Sequence, residues 1–253
     1  MSAKRRVVKL INSFVSLVVL IAVVCAGAYS AYALWDNNQV YEGARNVQIQ
    51  MQELKPDIED PENGPTFDEL LKINPDVCAW ITMDGTHIDF PVLQGETNLS
   101  YINTDVYGDF ALAGSIFLDC RNSRDFSDPY NLLYGHHMAG GNMFGDLDLY
   151  EEEKFFRENT TGMLITPERI YDLETAALLV VNASEDGVFA VEENREDPAK
   201  VISYIEENAV FTNETMSKVS DGAQILALST CSSDFTDART ILITIMIPHD
   251  QGS

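Results

Sequence analysis

A mostly β domain set behind one apolar, membrane-length segment is the fold class this sequence predicts. Three observations carry that reading. Residues 10–35 contain no charged side chain, a run longer than the roughly 20 apolar residues that a bilayer-spanning helix needs. From residue 77 onward, short apolar runs of strand length alternate with turn-forming residues, the pattern of a β domain. Helical texture interrupts those runs in two places, residues 142–159 and 197–211, so the helices read as inserts rather than as the framework.

Taken in order, the chain begins with Lys4, Arg5, Arg6 and Lys9, ahead of "LINSFVSLVVLIAVVCAGAYSAYALW". Positive charge flanking a first span keeps that flank in the cytoplasm. This predicts a cytoplasmic tail at residues 1–9, a single-pass transmembrane anchor at 10–35 and an extracellular remainder. A cleaved signal peptide is the competing reading, since Ala31, Tyr32 and Ala33 offer a small-x-small site, but a signal core runs only about 7–15 residues. Cys25 follows two valines where a lipidation site wants a small residue.

Residues 36–65 read as a helical stalk and linker. Val40, Ala44, Val47, Met51 and Leu54 recur at helical spacing, as on an amphipathic helix, and "PDIEDPENGP" at 56–65 is a proline-rich acidic loop. Thr66, Phe67, Asp68 and Glu69 form a capping-box pattern that starts a short helix through Ile73. The strand runs follow. "VCAWITM" and "THIDFPVLQ" flank Asp84-Gly85, a hairpin signal. Beyond them come "GSIFLD", "NLLYGHHM", "GMLITPE", "IYDLETAALLVVNAS", "QILALSTC" and "TILITIMI". Pro198 stands at the start of the second helical insert, a position that proline favours. The main domain is expected over residues 66–248, with a tail at 249–253.

Charge and cysteine usage exclude several function classes. Four of the 16 basic residues precede the apolar segment, leaving 12 against 40 acidic ones, about −28. Such a surface repels nucleic-acid phosphates and anionic lipid, so no nucleic-acid partner is expected. There is no GxGxxG, P-loop, EF-hand or HExxH pattern, and the acidic residues lack ligand spacing, so neither cofactor nor metal is expected. Cys25, Cys78, Cys120 and Cys231 are too few and too scattered for a disulfide scaffold or a zinc site. Cys78 and Cys120 border strand-like runs and read as buried small hydrophobes, with a bridge between them as the lesser alternative. Cys231 is then an odd thiol in an oxidising compartment and calls for a functional reading.

Cys231 ends the run 224–231, and Arg239 precedes the run 240–247, across the loop 232–238. If those runs pair as a hairpin, the two residues stand side by side at one edge of the sheet. A thiolate is a nucleophile, and a nearby imidazolium or arginine favours its ionised form. From reference values near 8.5 and 6.5, the thiolate–imidazolium pair lies roughly 2.7 kcal/mol uphill, so an unmodified site would hold it only in a minority of molecules. Arginine cannot act as a base, and its role is electrostatic, on an oxyanion or a substrate carbonyl. Of the four histidines, His136 and His137 are adjacent in "YGHHM" and on a strand face opposite ways. His87 and His249 read as structural. On spacing alone, an ordinary hairpin with a buried cysteine and a surface arginine is an equal reading.

"LSTC" with an arginine eight residues on, "LLYGHH" upstream and the N-terminal apolar segment together resemble the sortase family of Gram-positive cell-surface cysteine transpeptidases. "NPDVCAWITMDGTHIDFPVLQG", "GSIFLD", "NLLYGHHMAGGNMFGDL" and the insert before the last strands are similar to the class B branch, in order, over residues 67–247. Cys78 stands where that pattern has an aliphatic residue, in keeping with a core position. The resemblance implies a closed, mostly antiparallel β-barrel of the sortase type with short helices, and a reaction that cuts a sorting signal near the C-terminus of a surface protein. Cys231 would form the thioacyl intermediate. His136, which follows Gly135, would be the acid and base in preference to His137, and Arg239 would complete the set. Substrate contacts are implied at Asn98, Ile102, Tyr134, Ser229 and Thr230, with the helix over 202–211 and the segment before it as a groove wall. The acceptor amine would belong to a peptidoglycan precursor or to a pilin lysine. Asp234 or Asp237 orients His136 or merely caps the loop. Hydrolysis of the thioacyl group by water is an alternative. A non-catalytic peptide-binding domain is another, but it predicts a missing member of the Cys, His and Arg set, and all three are present.

Overall fold

The apolar runs pair into one sheet that closes on itself. The computed structural model describes residues 3–58, 60, 64–182, 186–231 and 238–249, with Cys231 described by its backbone. Its helices are α1 (Ala3–Gln52), α2 (Phe67–Ile73), α3 (Glu153–Glu158), α4 (Asp186–Phe189), α5 (Val191–Glu196), α6 (Pro198–Asn208) and α7 (Met216–Ser220). Its strands are β1 (Val77–Met83), β2 (Asp89–Leu93), β3 (Ile116–Leu118), β4 (Tyr130–His136), β5 (Thr161–Ile165), β6 (Ile170–Asn182), β7 (Ala209–Thr212), β8 (Gln224–Cys231) and β9 (Ala238–Pro248). Short 3₁₀ turns occupy Ala139–Gly141 and Gly145–Glu151.

The strand order is β5-β1-β2-β3-β4-β8-β9-β6-β7, and a β5–β6 pairing closes the first eight into a barrel. Strand β7 lies outside that ring, on the second half of the long β6. The hairpin expected at Asp84-Gly85 forms between β1 and β2. Two pairings are parallel, β2–β3 and β4–β8. Parallel neighbours need long crossovers, and here residues 94–115 and 137–223 supply them. The first insert expected to be helical becomes a 3₁₀ turn and α3, and the second divides into α6 and β7.

The chain divides into two units, Met1–Glu42 and Gly43–Ser253. The first is part of α1, which runs unbroken from Ala3 to Gln52. Its apolar side chains, among them Leu10, Phe14, Leu20 and Trp35, are exposed, and it is long and apolar enough to cross a membrane. In the second unit, the end of α1 supplies Met51, buried against Phe67, Leu70 and Trp80, with Val47 and Leu54 packed alongside. Helix α2 starts at the expected cap, where the Thr66 N–H and hydroxyl both donate to Glu69, at 2.8 and 2.6 Å.

Strands β4, β6, β8 and β9 are buried through most of their length, and α5 and α6 add Val191, Val201 and Ile205 to the same core. Cys78 belongs to the interior, and burial pushes its thiol up to about 12. Cys120 departs from expectation: β3 stops at Leu118, so Cys120 sits half-buried in the turn that follows. Both thiols are free, which removes the bridge as an alternative.

Strand β8 lies between β4 and β9, and Leu228 at its centre is fully buried. Leu228→Ala is expected to lower stability by about 2–5 kcal/mol, read as a fall in the urea midpoint with an unchanged slope.

Candidate active site

Three neighbouring strands bring the predicted chemistry to one end of the barrel. In the parallel β4–β8 ladder, Gly135 pairs with Thr230 and His136 with Cys231. The antiparallel β8–β9 ladder runs to Ser229 opposite Ile241, and two further steps in that register bring Cys231 level with Arg239. Arg239 pairs on its other side with Val181 of β6. Cys231 therefore occupies the middle strand of the three, with the histidine and the arginine on either side. Asp234, Asp237 and the rest of the 232–237 loop lie outside the described residues.

The end of β4 is shaped around a glycine. A Cβ on Gly135 would overlap the Ile116 and Phe144 side chains, so the residue before His136 has to be small. The Phe144 N–H donates to the His136 carbonyl at 3.0 Å, which folds the following loop back onto the strand end. His136 is half-buried, with its ring Nε2 at 2.6 Å from the Ile102 carbonyl oxygen. His137, one residue beyond the strand, pairs instead with Asp148 through Nε2 at 2.6 Å. His87 and His249 bond to Asp146 and Asp172.

Arg239 is held from behind: Nη1 donates to the Thr230 carbonyl at 2.9 Å. Its Nε is buried and has no hydrogen-bond partner among the described residues. Ser229 and Thr230 are almost fully buried. The Ser229 hydroxyl donates to the Thr230 carbonyl, and the Thr230 hydroxyl accepts from the Thr240 N–H at 3.2 Å. Both residues thus pack behind the strand end, where they hold the peptide unit on which Arg239 rests. Thr240 in turn donates its hydroxyl to Glu151 at 3.0 Å.

Ile102 meets His136 through its carbonyl, while Asn98 and Tyr134 are tied together by a polar network that sequence reasoning did not identify. Asp119 is 0% exposed. It accepts from Arg121 Nε and Nη2 at 2.8 and 2.7 Å, from Asn98 Nδ2 at 2.8 Å and from the Tyr134 hydroxyl at 3.1 Å. Burial by itself would raise the Asp119 carboxyl, but the hydrogen bonds from the Arg121 side chain and amide and from Asn98 outweigh it and hold it below the usual carboxylate range. Arg121 also donates to the Phe189 carbonyl of α4 at 3.3 Å. The Tyr134 ring lies between Phe117, at 5.4 Å, and Phe189, stacked at 6.4 Å. Arg195 of α5 fastens the same insert, bonding to the Arg121 carbonyl and pairing with Asp128 at 2.9 Å. Of the helix and the segment before it expected as a wall, α6 places Val201 and Ile205 in the core and Ile202 against it, and α4, in the preceding segment, provides the ring beside Tyr134. The sequence signal for this network is the short spacing in "FLDCR", two ionisable groups of opposite charge on one turn after β3.

No protein-family model matches the chain. It is 33% identical over 187 residues to sortase B of Listeria monocytogenes, an alignment covering 71% of this chain and 74% of that protein. Among solved structures, a Streptococcus pyogenes class B sortase involved in pilus biogenesis superposes with a TM-score of 0.64 at 38% identity. That match covers 71% of this chain and 97% of the other. The Staphylococcus aureus sortase B–substrate complex gives a TM-score of 0.67 at 25% identity, over 85% and 97% of the two chains.

The Asp119 network makes a pH-dependent prediction. A carboxyl lowered in the folded state contributes stability that is present above its unfolded pKa and is lost as pH falls through its folded value. Arg121→Ala leaves Asp119 buried without its cation and is expected to cost about 3 kcal/mol at neutral pH. As the pH falls and the variant's carboxyl, now without its cation, takes up a proton, the penalty should shrink. Urea denaturation of both proteins at neutral and acid pH measures the difference.

Proposed function

The chain belongs to the class B sortases, and from that membership we propose a membrane-anchored cysteine transpeptidase in which Cys231, His136 and Arg239 carry the reaction. The observation that carries the proposal is the register: one ladder pairs His136 with Cys231, and the next, continued, brings Arg239 level with it. A histidine far off in sequence joins the Cys231–Arg239 hairpin at the end of three adjacent strands, with a glycine leading into it where a Cβ would overlap Ile116 and Phe144.

The substrate is a surface protein with a C-terminal sorting signal, a reading supported by the solved substrate complex of the Staphylococcus aureus enzyme. The Cys231 thiolate attacks the scissile carbonyl, and the charge developing on its oxygen falls beside the Arg239 guanidinium, whose role is electrostatic. As the tetrahedral intermediate collapses, the C–N bond breaks and the His136 imidazolium gives its proton to the leaving amine. The product is a thioacyl enzyme. An incoming amine then attacks the thioester, His136 takes its proton, and the C–S bond breaks to restore Cys231. Asn98, Ile102 and Tyr134 are assigned to the substrate groove, with Ser229 and Thr230 beneath the nucleophile.

An amine of the cell wall is the proposed acceptor. A pilin lysine is the second reading, favoured by the 38% identical Streptococcus pyogenes relative, which is involved in pilus biogenesis. The exposed apolar half of α1 supports an anchor, and Arg5, Arg6 and Lys9 on its N-terminal side support a cytoplasmic N-terminus.

Cys231→Ala is expected to abolish peptide cleavage and the thioacyl adduct seen by mass spectrometry. Unchanged cleavage would overturn the assignment. Arg239→Lys keeps the charge but loses the planar guanidinium, and kcat is expected to fall about 100-fold or more, as for a removed oxyanion donor. A peptide library cleaved with diaminopimelate-type, oligoglycine and lysine amines present identifies donor motif and acceptor. Free acid as the dominant product despite abundant amine would favour a hydrolase.

A further inference from the structure

The contact between His136 and the β2–β3 connection determines which ring nitrogen can exchange protons. A backbone carbonyl can only accept a hydrogen bond, so Nε2, at 2.6 Å from the Ile102 oxygen, must carry a hydrogen there. Turning the ring over would put a carbon against that oxygen, whereas C–H···O contacts run about 3.3–3.6 Å, so the flipped ring does not fit. A neutral imidazole with Nε2–H has Nδ1 as its acceptor.

The carbonyl is held firmly. The Tyr101 carbonyl on one side accepts from the Ser115 N–H at 3.0 Å, and the Ser115 hydroxyl donates to the Thr104 carbonyl at 2.8 Å. Tyr101 is buried, and its hydroxyl donates to Asp76 at 2.7 Å. Gly114 has φ +58°, and a Cβ there would overlap the Ile102 carbonyl. That glycine lets the connection close tightly enough to present the oxygen to the ring.

We propose that the Ile102 main-chain carbonyl is a positioning group that locks the tautomer of His136, so that Nδ1 alone gives and takes the proton of catalysis. This rests on the catalytic reading of His136. Nε2–H stays on the carbonyl throughout. Nδ1–H protonates the leaving amine as the C–N bond breaks, and the bare Nδ1 accepts the proton of the incoming amine as the new C–N bond forms and the C–S bond breaks. The role belongs to the backbone of Ile102 and is separate from any contact its side chain makes with substrate.

The test is ¹⁵N NMR of the full chain in detergent with labelled histidine, the His136 signals being those lost in His136→Gln. With the ring neutral, the expected spectrum shows Nε2 protonated and Nδ1 bare. A protonated Nδ1, or an equal mixture, overturns the proposal. Gly114→Ala should push the carbonyl aside, bring in the second tautomer and lower kcat with KM little changed. A folded Gly114→Ala protein that keeps the pure Nε2–H form also overturns it. Should that variant not fold, the wild-type spectrum decides by itself. The spectrum reads the tautomer whether or not His136 is catalytic, whereas His136→Gln with full cleavage activity would overturn the catalytic reading alone.

Discussion

The parallel pairing of β4 with β8 is the constraint on which the rest of the molecule depends. It sets the C-terminal end of β4 beside the C-terminal end of β8, so His136 and Cys231 share a rung although 95 positions separate them. Parallel neighbours cannot be joined by a tight turn. The chain between them therefore travels away, builds β5, β6, β7 and the helical inserts, and returns. Because β9 then pairs antiparallel to β8, its first residues arrive at the same end and bring Arg239 with them. A slip of one residue in either ladder would send the histidine or the arginine to the opposite face. Alternate residues, Ile225 and Ala227 on β8 and Ile241, Ile243 and Ile245 on β9, lie in one core cluster, and a one-residue slip would turn them out of it.

Around this rung the polar groups fall into two sets that brace different walls. Asp119 gathers Asn98, Tyr134 and Arg121, and Arg121 reaches on to α4. A buried carboxylate with that many donors is costly to disturb, since losing one partner leaves charge in a poorly solvated place. The second set is main-chain. The Thr230 carbonyl carries Arg239 and the Ile102 carbonyl carries His136. Both ionisable side chains beside Cys231 are thus oriented by fixed backbone oxygens.

The second unit closes partly on the end of α1. Met51 fills a core position beside Trp80 and Phe67, while Gln48 donates to the His87 carbonyl and Lys55 pairs with Asp89 at 2.9 Å. The same helix carries, at its other end, the apolar face that suits a membrane.

The sequence by itself determined the β texture, the Asp84-Gly85 hairpin, the Thr66 cap and the apolar segment, while the candidate triad was named by the family resemblance. These are local signals: apolar period, turn chemistry and charge-free length act over a few residues, and "LSTC" with its arginine needs only one hairpin. The preference for His136 over His137 came with the family resemblance, whose motif has the histidine directly after the glycine; strand alternation by itself says only that one of the two can serve a given site. Only the tertiary structure decided that Cys120 lies in a turn, that Asp119 ties Asn98 to Tyr134, that Phe189 of α4 stacks on that tyrosine, and that Ile102 faces His136 with its carbonyl. The last three depend on segments 15 to 55 residues apart meeting across a closed barrel. A hydrogen bond to a backbone oxygen leaves no mark in the side-chain sequence, so the fold alone chose it.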